Sequence, residues 1–545
     1  MSTIDTYKDQ VRALCAAPSQ QNADALADFS RQNPGIHQQA RPSMQVDPVF
    51  ANAFRVVDPS AAYNQHNTHM AMPRAIKEPA NLNTLMAVLR DAVAAGRSLK
   101  AIGDGYGFAN AAFTPDWLVK CLQLDAVLPL EPELLNATAV PGDLVRVEGG
   151  ITFAKLNEAL WAQGRTVMQQ PGFGGLTVVG CSAAGGHGSG DKLLGISGYI
   201  KSVELVTLNA ANQVRVYRIE PKDGTGITDP AKYAAKYPAP TFQLIQDNGL
   251  FHAARCGQGN LGIIYAVTLQ TQKAFSLLER RDLSEWAPTW AGLPSLMNSP
   301  LTHSVHVWIN PYVRDGKTSP NVLTTKLSFT NQTGAWGVRG AGIVFGGKNI
   351  LTDIIRLIVS INPAAVPYML NTGLSSCQET TPVLLRSFDA LDFGPPNDIP
   401  VLATSLGFDA KLADQVLTGL TAEIESWTAA NQWVSSPIGM RWVKASEDYL
   451  SPQYGRDTVM LEMPILLGTP NAAETLERYA DYMMRTWGAR PHWGQRNPMT
   501  RDLFQQNYSG SYKQFAAAFK TLNPNRFFDG PLVWQLGLRD IANGN

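Results

Sequence analysis

The chain has 545 residues, and its 45 basic side chains balance its 45 acidic ones. A general nucleic-acid-binding protein needs a basic excess to neutralise phosphates, so this balance argues against that class. Hydrophobic residues make up 45% and charged residues 17% of the chain. That composition can bury a large core and does not fit an intrinsically disordered protein.

The cysteines and the apolar stretches limit the protein class further. The five cysteines, at positions 15, 121, 181, 256 and 377, form no CxxC pair, which argues against a zinc ribbon or a dense disulfide framework. We predict reduced thiols, no metal and a cytoplasmic protein without a secretory signal. The most apolar stretch, residues 354–370, is interrupted by Asn362, Pro363 and Pro367. It is too short to cross a membrane, and we interpret it as an apolar helix in a substrate or dimer region.

The predicted elements mix helices and strands irregularly. A polar, partly helical extension over residues 1–72 precedes a helix with apolar residues at helical spacing from Leu82 to Val93, which Gly96 is placed to end. Strands follow at 98–102 and 144–148, and a helix at 153–163. Strands at 203–208 and 213–219 form a predicted hairpin, followed by a strand at 263–270. Beyond about residue 275, a strand at 304–309 and a helix from about 474 suggest a second domain. This pattern predicts an α+β fold.

A short glycine-rich segment, GDGYG at 103–107, comes directly after a predicted strand. Glycines at alternate positions let the backbone approach a ligand closely, and consecutive amides can hold phosphate oxygens. The segment is not the dinucleotide fingerprint GxGxxG, because its third glycine comes one residue early. Taken alone, it also fits a tight turn.

A longer glycine-rich segment, GCSAAGGHGSG at 180–190, contains five glycines. It leaves almost no side-chain volume, which suits a backbone that lies against a flat or polyanionic ligand. It does not match the P-loop pattern GxxxxGK[ST], because Lys192 follows Asp191 rather than a glycine. A short flexible stretch, PGFGG at 171–175, lies just upstream of it.

Three further segments complete a pattern: GQGNLGII at 257–264, RPHWGQ at 490–495 and LNPNRFF at 522–528. In order and spacing, the five segments resemble the FAD-binding oxidoreductases of the p-cresol methylhydroxylase and vanillyl-alcohol oxidase superfamily, nearest the aldonolactone and alditol oxidases. The resemblance covers about residues 73–275 and 435–545. It implies a two-part FAD-binding domain at 73–275 and an α+β cap domain with a mixed or antiparallel sheet at 276–475. It also implies a C-terminal segment at 476–545 that returns to the FAD domain.

The resemblance also implies which residues bind FAD. The first loop would hold the pyrophosphate, the second would run along the ADP portion and the flavin, the GNLGII segment would close the nucleotide site, and the RPHWG segment would reach the isoalloxazine edge. The implied cofactor-binding residues are Ile102, Gly103, Asp104, Gly105, Tyr106, Gly107, Phe108, Pro171, Gly172, Thr177, Gly180, Cys181, Ala184, Gly185, Gly186, His187, Gly188, Ser189, Gly190, Gly262, Ile263, Ile264, Trp493 and Gln495.

Three positions depart from the family's pattern. Tyr106 stands where many relatives have the histidine that links covalently to the flavin. We therefore predict non-covalent FAD, with a tyrosyl link or a thioether at Cys181 as the alternatives. Gln495 replaces a lysine near the flavin N1–C2 carbonyl, and a neutral donor supports an anionic reduced flavin less strongly. Pro171 falls where the family places a small residue near flavin C4a, and its bulk would favour a dehydrogenase over an oxidase.

Flavin chemistry defines what the catalytic residues must do. FAD accepts a hydride from a carbon that bears a hydroxyl or amine, while the protein positions that carbon and helps to remove a proton. His492 is the first candidate for the base or polariser, although it could simply orient Trp493. His187 is interpreted as cofactor-orienting. Arg441 and Glu462 lie in strand-like runs, and cap strands of this branch carry an acid and a basic group near the flavin; each could equally face solvent.

The resemblance implies oxidation of a CH–OH group of a small alcohol, polyol, sugar or lactone, with electrons passed to dioxygen or another acceptor. His303 and His306 face either the same cavity or the core. The apolar stretch at 340–370 leaves open a larger hydrophobic or aromatic alcohol, or an amine. A flavin-carrying electron-transfer subunit and a family member without catalytic activity are the other hypotheses. The sequence leaves the oligomeric state open.

Overall fold

The computed structural model describes residues 2–45, 73–339, 350–393 and 401–544. The chain divides into two compact units, each built from separated stretches. Unit 1 comprises Met1–Tyr63, Ser276–Trp442 and Val459–Met483, and unit 2 comprises Asn64–Phe275, Val443–Thr458 and Met484–Asn545. The mixture of helices with mixed and antiparallel sheets confirms the predicted α+β class.

Unit 2 contains two sheets. Its strands, in chain order, are β1 (Ala75–Lys77), β2 (Leu99–Ile102), β3 (Trp117–Lys120), β4 (Val127–Leu128), β5 (Leu144–Glu148), β6 (Arg165–Val167), β7 (Ile200–Leu208), β8 (Val214–Glu220), β9 (Phe242–Gln246) and β10 (Ile263–Lys273). The smaller sheet is parallel in the order β1-β3-β2. The larger has the order β4-β5-β10-β7-β8-β9, with β6 paired to β10.

The helices of unit 2 cover these sheets. They span Leu82–Ala95, Phe153–Trp161, Val178–Ala183, Pro230–Lys236, Asn248–Arg255, Arg501–Asn507, Tyr512–Leu522, Pro531–Gln535 and Leu538–Ala542. The first begins at Asn81, whose side chain accepts from the Thr84 amide, and ends at Gly96 in the left-handed conformation (φ 61°), as predicted. The predicted hairpin also forms: β7 and β8 pair antiparallel up to Leu208 and Val214.

Unit 1 is built on one large sheet. Its strands are β11 (Ser276–Glu285), β12 (Thr302–Ile309), β13 (Asn321–Thr330), β14 (Glu379–Arg386), β15 (Val401–Asp409), β16 (Ile438–Val443) and β17 (Thr458–Leu466), in the spatial order β14-β11-β13-β12-β16-β17-β15. Its helices span Thr3–Ala16, Gln20–Gln32, Ile36–Gln45, Trp286–Asn298, Ile350–Ile361, Val366–Ser376, Ser387–Leu391, Ala413–Trp427 and Ala472–Thr486.

The N-terminal helices pack within unit 1. Asn362 donates to the Cys15 carbonyl at 2.7 Å, and Thr372 donates to Asp24 at 2.7 Å. The apolar stretch at 354–370 is divided between two helices, which end at Ile361 and begin again at Val366. Among the helices of the described ranges, none has the length and apolar character that a membrane span requires.

Lys100 is a buried charge that links three segments of unit 2. It lies on β2 with 1% of its surface exposed. Its Nζ donates to the carbonyls of Gln258 (3.3 Å), Gly259 (3.1 Å) and Phe528 (3.4 Å), and to Asn260 Oδ1 (2.9 Å). These hydrogen bonds could not be predicted from the sequence, where Lys100 is simply one lysine in an apolar strand. The C-terminal segment is thereby held beside the strand that leads into the first glycine loop.

We expect Lys100 to make stability depend on pH in the alkaline range. Burial lowers the pKa of Lys100 to about 7 in the folded protein, against about 10.4 in an unfolded chain. Between these values the unfolded state binds more protons, so the free energy of unfolding rises as the pH is raised from about 7 towards 10. Lys100→Met should lack this contribution. Denaturant unfolding of both proteins at several pH values measures it, and a difference between them that does not vary with pH would contradict it.

Candidate cofactor and substrate sites

The glycine residues of the first loop lie against the start of a helix in unit 2. A Cβ atom added to Gly103 would lie 2.6 Å from Thr177 Oγ1. Thr177 is the N-cap of the helix Val178–Ala183, and its hydroxyl accepts from the Gly180 amide at 3.2 Å. Gly105 has φ 80°, a conformation that favours glycine. Thr177 therefore links the first loop to the start of the second.

The second loop follows a path that only glycine permits. A Cβ on Gly186 would lie 2.1 Å from Cys181 Sγ, and one on Gly188 would lie 2.2 Å from Gln169 Cδ. Gly185 (φ 73°) and Gly190 (φ 148°) have positive φ values. Burial raises the pKa of the Cys181 thiol to about 12, so the thiol stays protonated at neutral pH and is a poor nucleophile.

The GQGNLGII segment packs on the same loop. The Gln258 amide donates to the Ala183 carbonyl at 3.3 Å, and Gly262 has φ 147° as the chain enters β10. A Cβ on Gly262 would lie 2.7 Å from the Val206 carbonyl oxygen. This glycine therefore lets β10 start directly beside β7.

The RPHWG segment, which includes β18 (Arg490–Pro491), joins both glycine loops. The amides of Phe108 and Ala109 donate to the Gly494 carbonyl at 2.8 and 3.3 Å, and the Trp493 amide donates to the Ala184 carbonyl at 3.1 Å. The Trp493 indole is buried and donates to the Leu450 carbonyl at 2.6 Å. The sequence segments that the resemblance grouped are thus close together within unit 2.

The hydrogen bonds of two histidines in unit 2 fix opposite tautomers. The Gly494 amide donates to His492 Nδ1 at 3.1 Å, so this nitrogen is an acceptor and the neutral ring carries its proton on Nε2. His187 Nδ1 lies 2.9 Å from the Gly188 carbonyl, which can only accept, so His187 carries its proton on Nδ1. The ring centroids are 5.8 Å apart. His492 is therefore a hydrogen-bond donor through Nε2, and His187 Nε2 has the lone pair.

The residues of unit 2 fit FAD. The amides of Gly103, Asp104 and Gly105 donate to no acceptor among the described residues. Three consecutive amides in a loop without side-chain bulk are suited to phosphate oxygens. The Tyr106 ring packs edge-on against Phe173 at 4.8 Å. Within the described ranges, no group of three or more His, Cys, Asp or Glu side chains is arranged to hold a metal ion.

We expect Gly103→Ala to weaken FAD binding by tenfold or more. The added methyl group would displace Thr177 and disturb both the helix cap and the adjacent amides. The flavin-to-protein absorbance ratio after purification and reconstitution measures the effect. Gly142→Ala is the matched control, because a Cβ there meets nothing within 4 Å. Equal flavin content in both variants would contradict the assignment of this loop.

Unit 1 holds the other predicted pair. Arg441 Nη2 on β16 lies 3.2 Å from Glu462 Oε2 on β17. Their side chains are 12% and 26% exposed, so neither simply faces solvent. Burial lowers the pKa of Arg441, against the opposing influence of Glu462. The guanidinium also lies 4.9 Å from the Phe393 ring and 5.9 Å from the Trp308 ring. Sequence reasoning missed both aromatic residues, because neither lies in a motif.

The two histidines of β12 have different surroundings. The His303 ring packs on Phe329 at 5.2 Å, and its Nδ1 lies 3.0 Å from Ser304 Oγ. His306 on β12 is directly opposite Arg441 on the neighbouring strand β16, and its ring lies 4.9 Å from that of Phe393. Burial is the main cause that lowers the pKa of both rings, to about 4 for His303. Both imidazoles are therefore neutral at neutral pH.

Two parts of the chain match known protein families. Residues 73–216 match the family described as FAD binding domain, and residues 267–535 match that described as D-arabinono-1,4-lactone oxidase. The L-gulono-1,4-lactone dehydrogenase of Mycobacterium tuberculosis (strain ATCC 25618 / H37Rv) is 23% identical over 471 residues, which are 85% of this chain and 96% of that protein. The L-gulonolactone oxidase of Scyliorhinus torazame is 22% identical over 494 residues, covering 85% and 95%.

Among solved structures, a cholesterol oxidase from B. sterolicum superposes with a TM-score of 0.64 at 11% identity, covering 85% of this chain and 93% of that one. A solvent-stable cholesterol oxidase gives a TM-score of 0.65 at 16% identity, covering 85% and 94%. At these identities the likeness concerns the fold. The fold, the glycine loops and the two family matches lead to one conclusion. The chain is an FAD-dependent oxidoreductase of the p-cresol methylhydroxylase and vanillyl-alcohol oxidase superfamily, near its aldonolactone oxidase branch.

Proposed function

We propose that the protein oxidises a secondary hydroxyl of a five- or six-carbon aldono-1,4-lactone to a ketone. The observation that carries this proposal is the match of residues 267–535 to the D-arabinono-1,4-lactone oxidase family, together with an FAD-compatible set of loops in unit 2. Relatives named for L-gulono-, L-galactono- and D-arabinono-1,4-lactones support this substrate class. The electron acceptor is dioxygen or another oxidant.

The proposal gives His492 a defined role. Bound FAD supplies the acceptor for the hydride that leaves the carbinol carbon. His492, with its proton on Nε2, donates a hydrogen bond to the substrate oxygen and orients the hydroxyl, and the hydroxyl proton passes to solvent water as the hydride leaves. Of the two roles open at the outset, polariser is thus preferred to base. Gln495, whose amide donates to the His492 carbonyl at 3.0 Å, holds the turn and offers a neutral side-chain donor.

Arg441 and Glu462 are proposed as substrate-binding groups of unit 1. A guanidinium stacked on aromatic rings is restricted in orientation, so its N–H groups present a fixed pattern to an oxygen-rich ligand. Glu462 keeps that guanidinium in place and can accept from a hydroxyl. The solvent-facing alternative is disfavoured by their burial.

FAD is proposed to be held without a covalent bond. Tyr106 stands where many relatives have the histidine that links to the flavin, and the Cys181 thiol is held protonated by burial, which makes it a poor nucleophile. The test is a visible spectrum of the purified protein before and after acid precipitation. Flavin bands should move to the supernatant. Bands that remain with the pellet would establish a covalent link instead.

The same preparation tests the substrate class. Under anaerobic conditions, L-gulono-, L-galactono- and D-arabinono-1,4-lactone are each mixed with the oxidised enzyme, and flavin bleaching is followed. At least one lactone should bleach the flavin faster than simple aliphatic or aromatic alcohols do. Bleaching only by apolar alcohols would show that the substrate is hydrophobic and not a lactone. Turnover that needs a partner protein would favour the alternative that the chain is an electron-transfer subunit. Peroxide formation with air then distinguishes an oxidase from a dehydrogenase.

A further inference from the structure

Four side chains form one row across the sheet of unit 1. The strand register pairs Arg281 with Thr325, Thr325 with His306, and His306 with Arg441. Side chains directly opposite each other on paired strands lie on the same face of the sheet. Glu462 extends the row through its ion pair with Arg441.

Two members of this row are buried polar side chains. His306 is 2% exposed and Thr325 is fully buried. Neither His306 Nε2 nor Thr325 Oγ1 has a hydrogen-bond partner among the described residues. Buried polar groups are nearly always paired, because leaving one unpaired costs free energy. Two such groups side by side therefore point to a ligand.

Burial and the surrounding charges keep the His306 imidazole neutral, and a neutral imidazole can bind the hydroxyl groups of an uncharged ligand. Burial, and then Arg441, Arg339 and Arg281, hold the pKa of His306 well below its usual range. Glu279, also on β11, pairs with Arg339 at 2.7 Å and lies 3.6 Å from Arg281, and Glu462 pairs with Arg441. The neutral imidazole can both donate and accept, whereas an imidazolium would only donate.

Arg441 contributes further donors. Its guanidinium has five N–H groups, and Glu462 is its one hydrogen-bond acceptor within the described part of the chain. The Phe393 ring covers His306 and Arg441 at 4.9 Å from each. The ring therefore restricts the orientation of the guanidinium beside His306.

The spacing of the row indicates the size of that ligand. Directly opposed side chains on neighbouring strands are about 5 Å apart, so Thr325, His306 and Arg441 span roughly 10 Å. A five- or six-carbon lactone with its hydroxylated tail is of comparable length. We propose that Thr325, His306 and Arg441 form a hydroxyl-binding strip that holds the polyhydroxylated part of the substrate. This inference rests on the proposed function and adds Thr325 and His306 to its binding groups.

The sharpest test removes one hydroxyl of the protein. Thr325→Val keeps the shape of the side chain and removes the orphaned oxygen. If the strip binds substrate, kcat/KM for the best lactone should fall about tenfold, chiefly through KM, while the melting temperature stays equal or rises. A purely structural threonine would not move affinity and stability in opposite directions. Thr324→Val is the matched control. Thr324 is the residue before Thr325 on β13 and faces the other side of the sheet, and its hydroxyl also has no hydrogen-bond partner within the described ranges.

A second variant tests the histidine. His306→Phe keeps a ring against Phe393 and should raise KM by a similar factor. It should also reduce the discrimination between the lactone and an analogue that lacks one hydroxyl. The variant has already lost the imidazole that would bind this hydroxyl, so removing the hydroxyl from the substrate costs little more. Unchanged KM in both variants, or equal losses for lactone and deoxy analogue in His306→Phe, would overturn the proposal.

Failure of the lactone assignment is distinguishable from failure of the strip. If no lactone bleaches the wild-type flavin, the proposed substrate class is wrong. The same variants are then compared with the best polyol of a straight-chain panel, and the strip stands if KM rises in Thr325→Val but not in Thr324→Val. If no polyhydroxylated compound reduces the flavin, both proposals are overturned together.

Discussion

Replacing His492 with alanine is expected to slow flavin reduction by the lactone about 10²–10³-fold, the usual loss when one donor to a reacting oxygen is removed. Bound FAD and the melting temperature should change little, because the ring of His492 is partly exposed and its backbone contacts remain. Stopped-flow absorbance of the flavin, under anaerobic conditions, measures the rate directly.

His492→Gln is the control for this experiment. Glutamine keeps an N–H donor and should recover part of the lost rate. An alanine variant with an unchanged reduction rate, or one that loses its FAD instead, would show that His492 orients its segment and takes no part in the reaction.

Replacing Arg441 with methionine should lower kcat/KM for the lactone by about 10³-fold, mainly by raising KM. Truncating one partner of a buried charge pair typically costs 2–5 kcal/mol, and here it also removes the donors that would face the substrate. Steady-state kinetics with the lactone that bleaches the flavin fastest provides the measurement.

Arg280→Met supplies the comparison for Arg441→Met. Arg280 lies on β11 in the same unit and is half exposed, and among the described residues its ion pair is with Asp282 at 2.8 Å, so its loss should leave the kinetics unchanged. Glu462→Gln should have an intermediate effect, since it keeps the shape but loosens the guanidinium. Equal kinetics for the two arginine variants would show that Arg441 is a structural ion pair.

Local features of this fold could be predicted from the sequence because their causes are local. Gly96 ends a helix because it adopts a left-handed conformation there, and the β7–β8 hairpin follows from two apolar runs separated by a polar turn. The glycine loops were recognisable because their glycines lie close together in the sequence, and at Gly186 an added Cβ would collide with Cys181, which is nearby in the chain. In each case the information lies within a few residues of the feature.

Other parts of the site depend on contacts between distant stretches. The row that joins Thr325, His306 and Arg441 is set by strand register, and two of its members, His306 and Arg441, lie more than a hundred residues apart in the chain. No local pattern reports that register. The tautomer of His492 likewise depends on the turn that brings the Gly494 amide to its Nδ1. Lys100 reaches the Phe528 carbonyl only because the C-terminal segment folds back beside β2. Assignment of these roles required the three-dimensional arrangement.

The discontinuous construction of unit 2 has a consequence for biosynthesis. Lys100 bonds to a carbonyl 428 residues further along the chain, and the first glycine loop bonds to Gly494. At typical elongation rates of about 5–20 residues per second, these partners emerge roughly 20–90 seconds after the loop itself. Until translation is almost complete, the nucleotide-binding loops of the nascent protein therefore lack these hydrogen-bond partners. We therefore expect flavin capture to be a late event, and chains that terminate early should be released without cofactor.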